Sequence, residues 1–196
     1  MAKQSADHVG DWNGQSGERW VAHQARLDAM LAAFGQAAIE AAAPVAGESV
    51  LDVGCGAGAS SLALAARVGA GGQLLGVDIS EPLIARARAL ASQDTPALFR
   101  VIDASSAELP EGAFDILFSR FGVMFFDDPT VAFAHMRPAL KPGGRVAFVC
   151  WRGAAKNDRM RLPMGAIKGI VPPTAPPDPE APGPFSFGDG GGWLTS

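Results

Sequence analysis

Leu51-Asp52-Val53-Gly54-Cys55-Gly56-Ala57-Gly58 joins a short apolar run, Ser49 to Gly54, to an alanine- and leucine-rich stretch from Ala59 to Val68. An apolar run of that length bounded by glycines reads as a buried strand, and the stretch after it as a helix that Gly69 can stop. The pattern repeats outward. Gln73 to Ile79, Ala97 to Asp103, Phe114 to Arg120 and Arg145 to Trp151 read as four further strands. Between them, Ser80 with Pro82 and Asp128 with Pro129 open helices. The second of these should bend or end near Pro138, and Lys141-Pro142-Gly143-Gly144 reads as a turn. Strands alternating with helices imply a parallel sheet with right-handed crossovers, an α/β doubly wound fold.

Glycines between a strand and a helix let a ligand approach the backbone, where free N–H groups wait at the helix start. Gly54, Gly56 and Ala59 also satisfy the dinucleotide pattern G-x-G-x-x-G/A. Asp78, at the end of the second strand, suits the ribose of either a dinucleotide or S-adenosylmethionine. Charge separates the two. A pyrophosphate is anionic, whereas S-adenosylmethionine carries a sulfonium and an ammonium. A carboxylate at Asp52 repels the first and favours the second, by on the order of 3 kcal/mol at ~5 Å and an effective dielectric of ~20. The competing reading of Asp52 is a loop-holding residue.

The rest of the composition narrows the classes. A net charge of -4 argues against a nucleic-acid surface, which needs clustered Lys and Arg. The N-terminus is polar and lacks a secretory apolar core, and no run of eighteen apolar residues suggests a membrane span. Cys55 and Cys150, at the ends of strands one and five, should lie roughly 10 Å apart, beyond disulfide reach. Two free thiols fit a reducing cytoplasm. His8, His23 and His135 show no metal-ligand spacing, and no nucleophile set with Ser or Cys stands out. No metal is expected. His23 is the only histidine placed to reach the site mouth, and a structural role for it is favoured.

LDVGCGAG, then GVDIS, DASSAELP, FDILFSRFGVMFF and LKPGG, in that order, resemble the class I S-adenosylmethionine-dependent methyltransferases. The likeness is strongest to the methyltransferase type 11 branch that includes ubiquinone and menaquinone biosynthesis enzymes, and it covers about Trp12 to Trp151. It implies five strands in the order 3-2-1-4-5 with helices on both faces and an N-terminal helical cap. It implies S-adenosylmethionine as cofactor and a small-molecule methyl acceptor. Methyl transfer itself demands no dedicated catalytic residue, although an acidic carbon or phenol acceptor would need a base that the sequence does not identify. By that resemblance Gly54, Gly56 and Gly58, with Cys55 among them, form the turn under the methionyl group, which Asp52 supports. Asp78 takes the ribose hydroxyls and Ile79 the adenine face. Asp103 and Ala104 read the adenine edge, and Ser119 with Arg120 lies beside the methionine moiety. The opening WNG…GERW, with Trp12, Arg19 and Trp20, resembles the segment that folds over the cofactor mouth. Phe121, Met124, Phe125 and Phe126 could line an acceptor pocket, although large apolar runs usually bury.

The expected organisation is a helical cap over 1–44, a cofactor-binding core over 45–152, and a partial lid helix with a mobile Pro/Gly-rich tail over 153–196. Relatives carry two more strands after the fifth, for which the last 45 residues show no convincing pattern. Strand 5 is therefore expected to be an open apolar edge prone to self-association. Three functions follow: an active small-molecule methyltransferase; a truncated relative that binds the cofactor with little activity or needs a partner chain; and, from another class, a nicotinamide oxidoreductase. The acceptor itself is not legible.

Overall fold

The computed structural model describes residues 9–167, 170–171 and 181–188. After a helical turn over 9–13, the helices are α1 (Gln15–Ala22), α2 (Gln24–Ala42), α3 (Ala59–Val68), α4 (Glu81–Leu90), α5 (Pro129–Met136) and α6 (Asp158–Ala166). The strands are β1 (Ser49–Val53), β2 (Gln73–Asp78), β3 (Ala97–Val101), β4 (Phe114–Arg120) and β5 (Leu140–Val149). They form one parallel sheet in the order β3-β2-β1-β4-β5, as expected.

Alternation along the central strands feeds two cores. Val50, Ile116 and Phe118 meet Ala38 and Ile39 of α2 and Leu64 of α3 on one face. Leu51, Val53 and Leu117 meet Ala132 and Met136 of α5 on the other. Because side chains of a strand alternate, one short run supplies both faces. The order of strand addition reverses between β1 and β4, so a crevice opens beyond the carboxyl ends of β1, β2 and β4, the usual ligand position in such sheets.

Several details differ from expectation, among them β2, β3 and β5 ending at Asp78, Val101 and Val149. β1 stops at Val53 because Gly54 turns to φ +66. Lys141 to Gly144 is not a turn before β5 but a bulge within it. Phe114 pairs with Leu140 and Ile116 with Arg145, so two steps on β4 face five on β5. Gly143, at φ +80, makes the detour without a side-chain penalty. Ser80 sits at the N-cap of α4, but its hydroxyl does not cap; it donates to the Trp12 carbonyl at 2.6 Å. Of the tail expected to be mobile, 172–180 and 189–196 lie outside the described residues, but 181–188 is packed. Phe187 is buried in the α5-side core and stands edge-on to Phe148 of β5. A segment without periodicity can still be ordered by hydrogen bonds and one buried ring.

Candidate cofactor and acceptor site

The crevice is a cavity of about 700 Å³. Its floor is the turn after β1 together with Asp78 and Asp103; its roof is Trp12, Trp20 and Leu27.

The three glycines of the turn serve three purposes. At Gly54 (φ +66) a Cβ would lie 2.6 Å from Gly122 Cα, so the glycine lets the β1 and β4 ends touch. At Gly58 (φ +86) a Cβ would lie 3.0 Å from Ala87 Cβ and 3.2 Å from the Phe99 ring, so it lets α3 start against α4 and β3. At Gly56 (φ +55) a Cβ would meet nothing within 4 Å. That open space belongs to the cavity, and only Gly54, Cys55 and Gly56 of the turn line it. The Gly54 and Cys55 amides both donate to the Val77 carbonyl, pinning the turn to β2.

Asp78 reinforces the pin. One carboxylate oxygen accepts the Gly56 amide and the other the Ser80 amide, each at 2.9 Å. A carboxylate oxygen has two lone pairs, so both retain capacity for a hydroxyl donor. Burial raises the Asp78 pKa, and the backbone donors of Ser80, Gly56 and Ile79 oppose that rise. Asp103 ends the neighbouring β3 connection, and its Oδ1 accepts the Ser105 amide and hydroxyl at 2.8 and 2.7 Å. Ile79, Ala104 and Trp20 also line the cavity.

Asp52 and Ser119 lie behind the wall instead of on it. Asp52 is fully buried, and its Oδ2 accepts the Ser60 and Ser61 hydroxyls at 2.8 and 2.6 Å. Its Oδ1 has no partner. Burial pushes its pKa up to about 6 against the pull of the two serines. The loop-holding reading thus has direct geometry, and any charge effect on a ligand acts through the turn. Ser119 donates to the Val53 carbonyl at 2.7 Å and accepts the Gly122 and Val123 amides, tying β4 to β1. Cys55 is buried, and its thiol is held protonated well above the usual range by desolvation and then by Asp52. Both cysteines are free.

The other half of the cavity is aromatic. Phe121, Met124, Phe125 and Phe126 all line it, Met124 as a buried residue. Trp151 stacks on Phe121 with centroids 4.4 Å apart. Trp12 makes edge contacts with Trp20 and Phe125. Arg120 reaches the wall but is tied to Asp28 at 2.9 Å. His23 and His135 are exposed and do not line it, and His8 is outside the described residues. No group of carboxylate, His and Cys side chains among the described residues could hold a metal.

One site-building residue escaped the sequence reading. Asn13 donates to the Ile79 carbonyl at 2.9 Å and accepts the Glu81 amide at 2.8 Å, capping α4 from a distance. Gly17, one turn into α1, permits the close approach, since a Cβ there would collide with the Trp12 carbonyl. The local signal was the WNG stretch itself. Leu27, Met30 and Leu31 of α2 also line the cavity, placed there by helical spacing on the face turned inward.

The residues present fit S-adenosylmethionine. Gly56 leaves a cradle open, the acids Asp78 and Asp103 line the cavity, and among the described residues no lysine or unpaired arginine lines it to welcome a pyrophosphate.

Comparison with known proteins agrees. The family described as "Methyltransferase domain" matches residues 51–148. The aklanonic acid methyltransferase DauC of Streptomyces sp. (strain C5) is 35% identical over 117 residues, 59% of this chain and 53% of that protein. The demethylmenaquinone methyltransferase of Clavibacter sepedonicus is 34% identical over 112 residues, 57% of this chain and 44% of that protein. The chain spans about half the length of the curated relatives it matches. Haemonchus contortus phosphoethanolamine N-methyltransferase 2, solved with S-adenosyl-L-methionine, superposes with a TM-score of 0.55 at 27% identity, covering 68% of this chain and 32% of that one. A SAM-dependent methyltransferase from Aquifex aeolicus shares the fold with a TM-score of 0.56 at 22% identity, covering 60% and 64%.

Proposed function

Because this chain belongs to the Methyltransferase domain family, we propose that it binds S-adenosylmethionine on the β1 turn and directs methyl transfer to a small, apolar acceptor. The observation that carries this reading is one cavity lined both by the glycine turn with Asp78 and Asp103 and by a run of aromatic side chains.

Asp78 and Asp103 would hold the nucleoside part through its hydroxyls and base edge. The Gly54-Cys55-Gly56 backbone would lie under the methionyl part, with Asp52 stiffening the turn from behind. When bound, the cofactor supplies an electrophilic methyl group on a sulfonium. The chain's own contribution is position and dryness. Phe121, Met124 and Trp151 press an acceptor toward the turn and exclude water, and such alignment can supply several kcal/mol. The Arg120–Asp28 pair neutralises a cation on that wall, and Asp127 and Asp128 also line the cavity, so an anionic acceptor is disfavoured. No helix among the described residues is long and apolar enough to cross a membrane. The two free thiols favour a cytoplasmic setting.

The test is transfer of tritiated methyl from S-adenosylmethionine to a panel of neutral phenols and their carboxylated counterparts. Product from the neutral series supports the reading. Product from the carboxylated series alone would contradict the acceptor class, and binding of the cofactor with no product from either would reduce the chain to a cofactor-binding protein.

A further inference from the structure

We propose that residues 181–188 form a strap that sets the size of acceptor the cavity admits, with Pro184 as the limiting residue at its rim; this rests on the methyltransferase reading above. The strap comes from the least patterned part of the described chain, yet both its ends are tied. The Gly183 amide and the Ser186 hydroxyl donate to the same carbonyl, that of Met124, at 3.0 and 2.7 Å. The Gly188 carbonyl accepts the Gly153 amide at 3.1 Å. Backbones there are in contact: a Cβ on Gly188 would lie 2.9 Å from Gly153 Cα. Between the ties, Phe187 plugs the core at 7% exposure.

What the strap holds is at the acceptor end. Met124 and Trp151 line the cavity, and the Trp151 amide points at the Met124 sulfur at 3.4 Å. Pro184 is exposed to solvent on one side and lines the cavity on the other. Its ring fixes the backbone and projects no flexible atoms, so it makes a rigid rim. Among the described residues, hydrogen bonds tie the strap to Met124 and Gly153, and the Asp78 and Asp103 carboxylates to Gly56, Ser80 and Ser105. The strap therefore acts on acceptor size and leaves cofactor affinity alone.

The experiment titrates the full chain with 2-naphthol and with the larger 1-hydroxypyrene, following fluorescence of the cavity tryptophans, and measures S-adenosylhomocysteine by calorimetry in parallel. Pro184→Ala should improve the ratio of 1-hydroxypyrene to 2-naphthol affinity several-fold, and Pro184→Trp should lower it by a similar factor. S-adenosylhomocysteine affinity should stay within twofold in both. Ser186→Ala should blur the size ratio and Ser186→Thr, which keeps the hydroxyl, should restore it. Size ratios that stay fixed across the Pro184 pair, or that follow melting temperature only, overturn the strap's role. Failure of S-adenosylhomocysteine to bind the unaltered chain would instead remove the cofactor reading, while a size ratio that moved with Pro184 would still stand.

Discussion

At Gly54 and Gly56 the same residue type is required for opposite reasons, and substitution should separate them. Gly54→Ala forces a Cβ into Gly122 backbone, so it should lower the melting temperature sharply or prevent folding. Gly56→Ala meets no atom and costs only the positive φ, about 1–2 kcal/mol. It should fold, and calorimetry should show S-adenosylhomocysteine affinity down tenfold or more because the cradle is filled. Asp78→Ala removes a charged acceptor worth ~1.5–3 kcal/mol to hydroxyl donors, so affinity should fall about ten- to a hundredfold. It also releases the Gly56 and Ser80 amides, so a modest loss in melting temperature should accompany it. Asp52 makes a pH prediction. Its folded pKa, about 6, stands above the ordinary 3.8, so the folded chain binds the extra proton between those values. That stability is fully present below pH ~4 and is lost as pH rises through ~6. Asp52→Asn should therefore flatten the melting temperature against pH across that window, and an unchanged slope would mean Asp52 titrates normally. The glycine spacing and Asp78 were legible because they sit in a local motif. The burial of Asp52 was not, because its partners Ser60 and Ser61 carry no distinctive pattern and look like any helix start.

The strands and helices were read to within a residue or two wherever apolar runs alternate with turn residues, as in β4. The bulge at Lys141 to Gly144 was missed because the same glycines that suggest a turn also permit a detour within a strand. The clamp from Asn13 to residues 79–81 was invisible for a different reason. It joins positions 66 and 68 apart, and no local pattern announces a long-range cap. Asn13→Ala removes these two long-range hydrogen bonds and a local one to the Val9 carbonyl, about 1 kcal/mol each. The expected outcome is faster amide exchange over 9–22 and at the start of α4, with weaker cofactor binding as the Trp12–Trp20 roof loosens. Unchanged exchange would show that aromatic packing alone holds the roof. Arg145 is the equivalent tie for α2: it donates to the Ala42 and Ala43 carbonyls and pairs with Glu48 at 2.7 Å.

At the scale of the molecule, the sheet order among the described residues places β5 at an edge, with Val146 and Phe148 exposed at 45% and 37%. Parallel sheets seldom leave apolar edges in water. Light scattering should detect concentration-dependent association, and Val146→Lys should suppress it; a monomer at every concentration would contradict the edge argument. The strap is the part of the molecule that composition misjudged, because proline and glycine forbid periodic structure without forbidding burial of one phenylalanine. One calorimetric comparison tests most directly which cofactor the turn after β1 holds. S-adenosylhomocysteine and NAD are titrated into the same preparation at the same pH. The account predicts saturable one-to-one binding of S-adenosylhomocysteine and no heat from NAD; saturable binding of NAD with none of S-adenosylhomocysteine would contradict it.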